Sequence, residues 1–266
     1  MKRPFATSLA AAMLAFAPPA ALGQTALTPT VKVSPVESPQ RVLFVGNSLV
    51  YYNGALQTHT HRMAAAATPP LQLREGYKSV HITGAFLHHY PIEFLVTPGN
   101  LGFKEPFQVV VLAGSIQEAM SDAARARYRQ KVIEYDGIIK KHGARTVLLW
   151  LPAVVKPNPL AESDMFERTQ QMMLSVGNEV GAMIIPVGPA YREAYRQRPG
   201  IKLQMGYDGS HPTVAGQYLA AAVVYGSLYG RSAVGNPYDY FGALDKDTRE
   251  FVQKVADETV RTFFGR

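Results

Sequence analysis

The chain has 266 residues, 47% of them hydrophobic and 18% charged, enough to build a core and too apolar for wholesale disorder. It has no cysteine, which excludes disulfides, thiolate zinc sites, iron–sulfur clusters and a cysteine nucleophile. The formal charge of +7 is scattered, with no Lys/Arg stripe interleaved with aromatics, so the composition argues against a nucleic-acid partner.

Residues 1–23 read as a secretory signal peptide. Lys2 and Arg3 form a basic start, an Ala/Leu/Phe-rich run follows, and Ala21-Leu22-Gly23 supplies small residues for cleavage. Pro18-Pro19 interrupts the run, which is short for a membrane span. No later segment is long and apolar enough to cross a bilayer, so the expected protein is exported, periplasmic or secreted, without a membrane span once the signal is removed. Residues 24–39, rich in Thr, Pro and Val, read as an extended linker. Residues 40–266 then form one domain.

Within that domain, short apolar runs alternate with helical stretches. Arg41–Val45, Phe107–Ala113, Ala144–Leu151 and Met183–Val187 read as buried strands, and Ser79–Ile82 as an extended piece. Helices are expected over 53–66, 121–142, 161–180, 213–229 and 245–264. Continuous apolar strands separated by helices predict a three-layer α/β/α sandwich around a parallel sheet of about five strands. In such sheets the chemistry gathers in loops beyond the carboxyl ends of the strands.

Two loops carry candidate chemistry. Gly46-Asn47-Ser48-Leu49 follows the first strand and leads into a helix, which exposes the Ser48 hydroxyl near backbone N–H groups. Asn and Ser are also ordinary turn and cap residues, so this segment alone leaves both readings open. Asp208-Gly209-Ser210-His211-Pro212 precedes the Ala-rich helix. A turn through Gly209 can bring the Asp208 carboxylate to the imidazole of His211 and orient it as a base for Ser48. Alone, these residues could equally be helix caps and a surface histidine.

Together, in this order, the two loops resemble the SGNH (GDSL-type) hydrolase family, in the branch with a G-N-S nucleophile block followed by aromatics and Asn, here Tyr51-Tyr52-Asn53. The resemblance implies an SGNH/flavodoxin-like fold and a serine esterase that works through an acyl-enzyme. It implies Ser48 as nucleophile, His211 as general base and acid, and Asp208 as orienter. It also implies an oxyanion hole from the Ser48 N–H, a second-block glycine, and a third-block Asn. Thr83-Gly84-Ala85 resembles the second block and assigns Gly84. The third block departs: Gly114-Ser115-Ile116-Gln117-Glu118 has no Asn, and Gln117 offers the same carboxamide on a longer arm. No cofactor is implied. The expected substrate is an ester, small or on a polysaccharide, with O-acyl groups on a carbohydrate suggested by the family. The missing Asn keeps a second expectation open: a catalytically silent SGNH-fold protein that binds glycan or assembles with envelope partners.

Five further histidines, His59, His61, His81, His88 and His89, fit no metal-ligand spacing, and no metal site is expected. His88 or His89 could line the substrate cleft. Trp150 reads as core or cleft wall, and Tyr238–Phe241 as packing against the final helix. Gly-rich phosphate motifs are absent.

Overall fold

The computed structural model describes residues 27–266 except 72, 74 and 75, so the signal-peptide reading of 1–23 lies outside the described residues. Five strands, β1 (Val42–Gly46), β2 (Tyr77–His81), β3 (Val109–Leu112), β4 (Arg145–Leu149) and β5 (Met183–Ile185), form one parallel sheet in the order β2-β1-β3-β4-β5. Eight α-helices are present among the described residues: α1 (Ser48–Tyr51), α2 (Leu56–Ala66), α3 (Ile92–Val96), α4 (Asp122–Lys141), α5 (Met165–Val180), α6 (Val187–Gln197), α7 (Val214–Tyr229) and α8 (Lys246–Phe264).

The continuous apolar strands have a simple cause: each is covered on both faces. In β1, Val42 and Phe44 point into one core layer and Leu43 and Val45 into the other. The period of two repeats in β3, β4 and β5. One layer is closed by α2, α6, α7 and α8, and the other by α3, α4 and α5. Helix α7 lies deepest, with thirteen of its sixteen residues buried, which explains a helix apolar all round. Its ends are set by chemistry in the sequence. The Thr213 side chain caps Gly216 N at 3.1 Å, and Gly230 closes the helix in the left-handed region.

Among the described residues the helix count exceeds the five or six read from the sequence. Helices α1 and α3 are only one turn or so long. Helix α6 was hidden by Gly188-Pro189, which look like breakers. Both fall in its first turn, where a missing N–H costs nothing, and Val187, Ala190, Tyr191 and Ala194 make its buried stripe. The expected strand over 183–187 therefore stops at Ile185. The helix expected from Asn53 begins at Leu56, because Asn53 and Ala55 have φ of 49° and 63°.

Residues 28–39, within the segment read as a linker, lie along the domain. Asn178 on α5 accepts from Thr30 N and donates to Thr28 O, both at 2.9 Å, and Tyr229 donates to Pro39 O at 3.0 Å. Among the described residues no helix is long and apolar enough to cross a membrane.

The strand order reverses direction at β1 and β3, which opens a crevice at the carboxyl ends of these two strands. The segments that follow β1, β2 and β3 meet there.

Candidate active site

Ser48 opens α1 directly after β1. Asn47 caps that helix: its Oδ1 accepts from Leu49 N at 3.1 Å. The Asn47 side chain does more than cap. Its Nδ2 donates to Ala85 O at 3.1 Å and to Gly114 O at 3.2 Å. With the residue only 4% exposed, these bonds satisfy a buried amide and tie the loops after β1, β2 and β3 together.

The second half of the site is a closed loop before α7. Gln204 and Pro212 form an antiparallel bridge, and Met205 N donates to His211 O at 2.7 Å. Gly209 sits at φ +62°, and a Cβ there would lie 1.8 Å from Val155 O. Glycine therefore lets this loop press against the segment after β4, where Val155 N donates to Gly209 O at 2.8 Å. Two side chains fasten the loop to the Ser48 segment. Asn53 Nδ2 donates to Pro212 O at 2.6 Å, and Gln217 Nε2 donates to Val50 O at 2.7 Å.

This frame brings Ser48, His211 and Asp208 into one hydrogen-bonded chain. His211 Nδ1–H donates to Asp208 Oδ2 at 2.5 Å, which fixes the tautomer and leaves Nε2 to accept from Ser48 Oγ at 2.9 Å. The other carboxylate oxygen of Asp208 accepts from Ser210 N at 2.8 Å and His211 N at 3.1 Å. Desolvation pushes the Asp208 carboxyl up, but the hydrogen bonds from His211 and these amides outweigh it and hold it below the usual carboxylate range. Tyr52 stacks on the imidazole with ring centroids 4.1 Å apart, and Tyr207, 63% exposed, hydrogen-bonds to Tyr52. The Tyr207 hydroxyl is pushed up to about 12, chiefly by its hydrogen bond with Tyr52.

Gly84 lies in the turn after β2 at φ +68°, one residue before the Ala85 carbonyl that Asn47 holds. Gln117 lies in the 3-10 turn Ile116–Ala119 after β3. Its side chain is exposed, and its carboxamide has no partner among the described residues. Glu118, its neighbour, is buried and bonds to both Leu87 N and Ser115 N.

Sequence reasoning left Asn53, Gln217 and the Tyr52 stack without roles. Asn53 had a usable signal, an Asn just behind the serine block. Gln217 had only its polarity on an otherwise apolar helix. His59 is fully buried, donates from Nε2 to Asn53 O at 2.7 Å and accepts from Tyr238 at 3.1 Å, so both ring nitrogens are used structurally. Among the described residues no group of three or more His, Asp or Glu could hold a metal ion. Trp150 is 1% exposed, inside the core layer of α4 and α5. Tyr238 stacks on Tyr218 of α7 at 5.8 Å, while Phe241 is 74% exposed beneath the Arg62 guanidinium.

The sheet order and helix layers define the three-layer fold of the SGNH (GDSL-type) hydrolases. A DUF4886-family protein from Bacteroides uniformis superposes with a TM-score of 0.64 at 17% identity, covering 82% of this chain and 93% of its own. A candidate SGNH hydrolase from Slackia heliotrinireducens gives 0.55 at 20% identity, covering 71% and 98%. The acetyl xylan esterase AlAXEase gives 0.56 at 12% identity, covering 71% and 99%. No protein-family model and no curated sequence matches the chain.

Proposed function

We propose that this protein is a serine esterase that hydrolyses carboxylic esters through an acyl-enzyme. One observation carries the reading: Ser48 Oγ, both ring nitrogens of His211 and the Asp208 carboxylate form an unbroken hydrogen-bonded chain at 2.9 and 2.5 Å. In the reaction, His211 Nε2 takes the Ser48 proton as Oγ attacks the ester carbonyl. Asp208 stabilises the imidazolium without accepting its proton. The Ser48 and Gly84 N–H groups, with the Gln117 carboxamide, hold the oxyanion. His211 then protonates the leaving alcohol, and water repeats the sequence to release the acid and restore Ser48.

The substrate we favour is an O-acylated carbohydrate. The acetyl xylan esterase among the structural neighbours supports this, as does the exposed Tyr207, which hydrogen-bonds to the Tyr52 that packs on the imidazole and offers a ring on which a sugar can stack. The basic and Ala-rich start of the chain supports export, with cleavage after Gly23. Amino-terminal sequencing of protein recovered from outside the cytoplasm tests this, and a chain still beginning at Met1 would refute it.

The central test is labelling by a fluorophosphonate probe together with turnover of p-nitrophenyl acetate. The expected result is probe attached to Ser48 and hydrolysis that Ser48→Ala abolishes. A folded wild type that neither labels nor turns over more than Ser48→Ala would favour the silent glycan-binding or envelope-assembly alternative. That reading draws on the absence of an Asn from the loop after β3, where the family has one. Release of acetate from acetylated xylo-oligosaccharides, measured beside p-nitrophenyl acetate, tests the carbohydrate assignment.

A further inference from the structure

Glu118 takes no part in the proton relay, yet it is 2% exposed and placed between two loops of the site. Its Oε1 accepts from Leu87 N at 2.7 Å, on the segment after β2. Its Oε2 accepts from Ser115 N at 3.2 Å, on the segment after β3. The Ser115 bond is half of a local capping box. The Leu87 bond has no such local explanation, because 31 residues separate the partners.

Asn47 holds the same two segments one step nearer the serine, through Ala85 O and Gly114 O. The two side chains therefore close a ring: Asn47 to Ala85, along the chain to Leu87, across Glu118 to Ser115, and back through Gly114. Gly84 and Gln117, the assigned oxyanion donors, each adjoin a member of this ring. The space is closed around the carboxylate. A Cβ on Gly114 would lie 1.9 Å from Glu118 Oε2 and 3.1 Å from Tyr128 on α4. Only glycine at 114 leaves room for the carboxylate to reach both amides.

We infer that Glu118 is a positioning residue for hydrolysis, locking the second and third loops at a fixed distance from Ser48 so that their donors meet the oxyanion. This rests on the esterase reading above. Burial pushes the Glu118 carboxyl up to about 7, against the Leu87 and Ser115 amides, which favour the charge. Arg127 on α4 attracts the carboxylate, and Tyr90, Tyr128 and Tyr135 interact with it electrostatically. His88 and His89 follow Leu87 in its turn. Ionised, the group accepts with both oxygens. Protonated, one oxygen becomes a hydroxyl and one of the two amides loses its charge-assisted partner.

The experiment compares full-length wild type with Glu118→Gln on p-nitrophenyl acetate from pH 5 to 9, with circular dichroism to verify folding. The variant is expected to fold and to lose about tenfold or more in kcat, the worth of a charge-assisted hydrogen bond. KM should change less than about twofold, as when an interaction specific to the transition state is lost. As Glu118 is protonated toward acid, wild type should lose the advantage of its charge, so the ratio of wild-type to variant kcat should narrow as pH falls through about 7. An unchanged kcat in a folded variant, or a wild-type to variant ratio that does not narrow toward acid, overturns the inference. Should the variant not fold, Glu118→Asp takes its place: its shorter arm cannot hold the Leu87 and Ser115 amides together, so kcat should fall with KM little changed, and an unchanged kcat overturns the inference. Failure of the esterase reading looks different, since wild type itself would then show neither turnover nor labelling at Ser48, and both readings would fall.

Discussion

The two halves of the candidate site are built differently. In the relay half, the functional atoms bond to one another: Ser48, His211 and Asp208 satisfy each other directly. In the oxyanion half, the assigned donors bond to no common partner. Gly84 and Gln117 are exposed on separate loops, and what is fixed is the frame behind them, through Asn47 and Glu118. The difference teaches that a relay can be specified by its own chemical groups. A hole for an oxyanion must be specified by neighbours, because its donors have to stay unpaired until the transition state.

The largest expected effect tests the relay. Asp208→Asn should lower kcat by about 10⁴-fold with the fold intact, because the amide allows the wrong histidine tautomer. Wild-type turnover in that variant, with p-nitrophenyl acetate as the probe, would remove Asp208 from the mechanism. The oxyanion half predicts a smaller loss. Gln117→Ala should lower kcat by about 10²–10³-fold with little change in KM if its carboxamide holds the oxyanion. An unchanged kcat passes that role to another donor on the loop, such as the Ser115 side chain.

Stability separates the halves as well. The Glu118 carboxyl rises from 4.5 to about 7 on folding, so the folded chain holds its proton more tightly. Below pH 4.5 both states are protonated and the fold has its full stability. As pH rises the unfolded chain ionises first, and stability falls until about pH 7, by roughly 3 kcal/mol in all. Glu118→Gln should cancel this slope, so its melting temperature should gain on wild type between pH 5 and 8. A constant difference between the two curves would mean that the carboxyl is ionised throughout. Asp208 has the opposite sign: its lowered carboxyl stabilises the fold at neutral pH, and that contribution is lost as pH falls through its folded value.

The smallest effect concerns the fastening of one half to the other. Asn53→Ala removes the 2.6 Å bond to Pro212 O and should cost about 1–2 kcal/mol, read as a shift in urea midpoint. It should also lower kcat modestly by loosening the 2.9 Å Ser48–His211 contact. A variant that loses stability but keeps full kcat would show that Gln217 alone sets that contact.

The candidate relay residues were legible through two short motifs whose order resembles a known family, while the meeting of Ser48 with His211, 163 residues away, was not. Asp208 and His211 are three residues apart around a glycine, and Ser48 follows a strand marked by five buried residues. The parallel sheet was legible because each strand is a short apolar run whose residues feed both layers. Helix α6 was not, because Gly188 and Pro189 break helices in general but do no harm in a first turn.

The amino-acid sequence by itself determined the strands and the main helices, through apolar periodicity, and set Asp208 and His211 close enough in the chain to pair. Tertiary structure alone decided which loops meet, that Asn47 grips Ala85 and Gly114, and that Glu118 bridges Leu87 and Ser115. Those bonds join residues 31 to 67 positions apart, or a carboxylate whose space exists only because Gly114 has no side chain. The pairing of distant loops is set by strand order in the sheet, and strand order is a property of the packed whole and of no single stretch of chain.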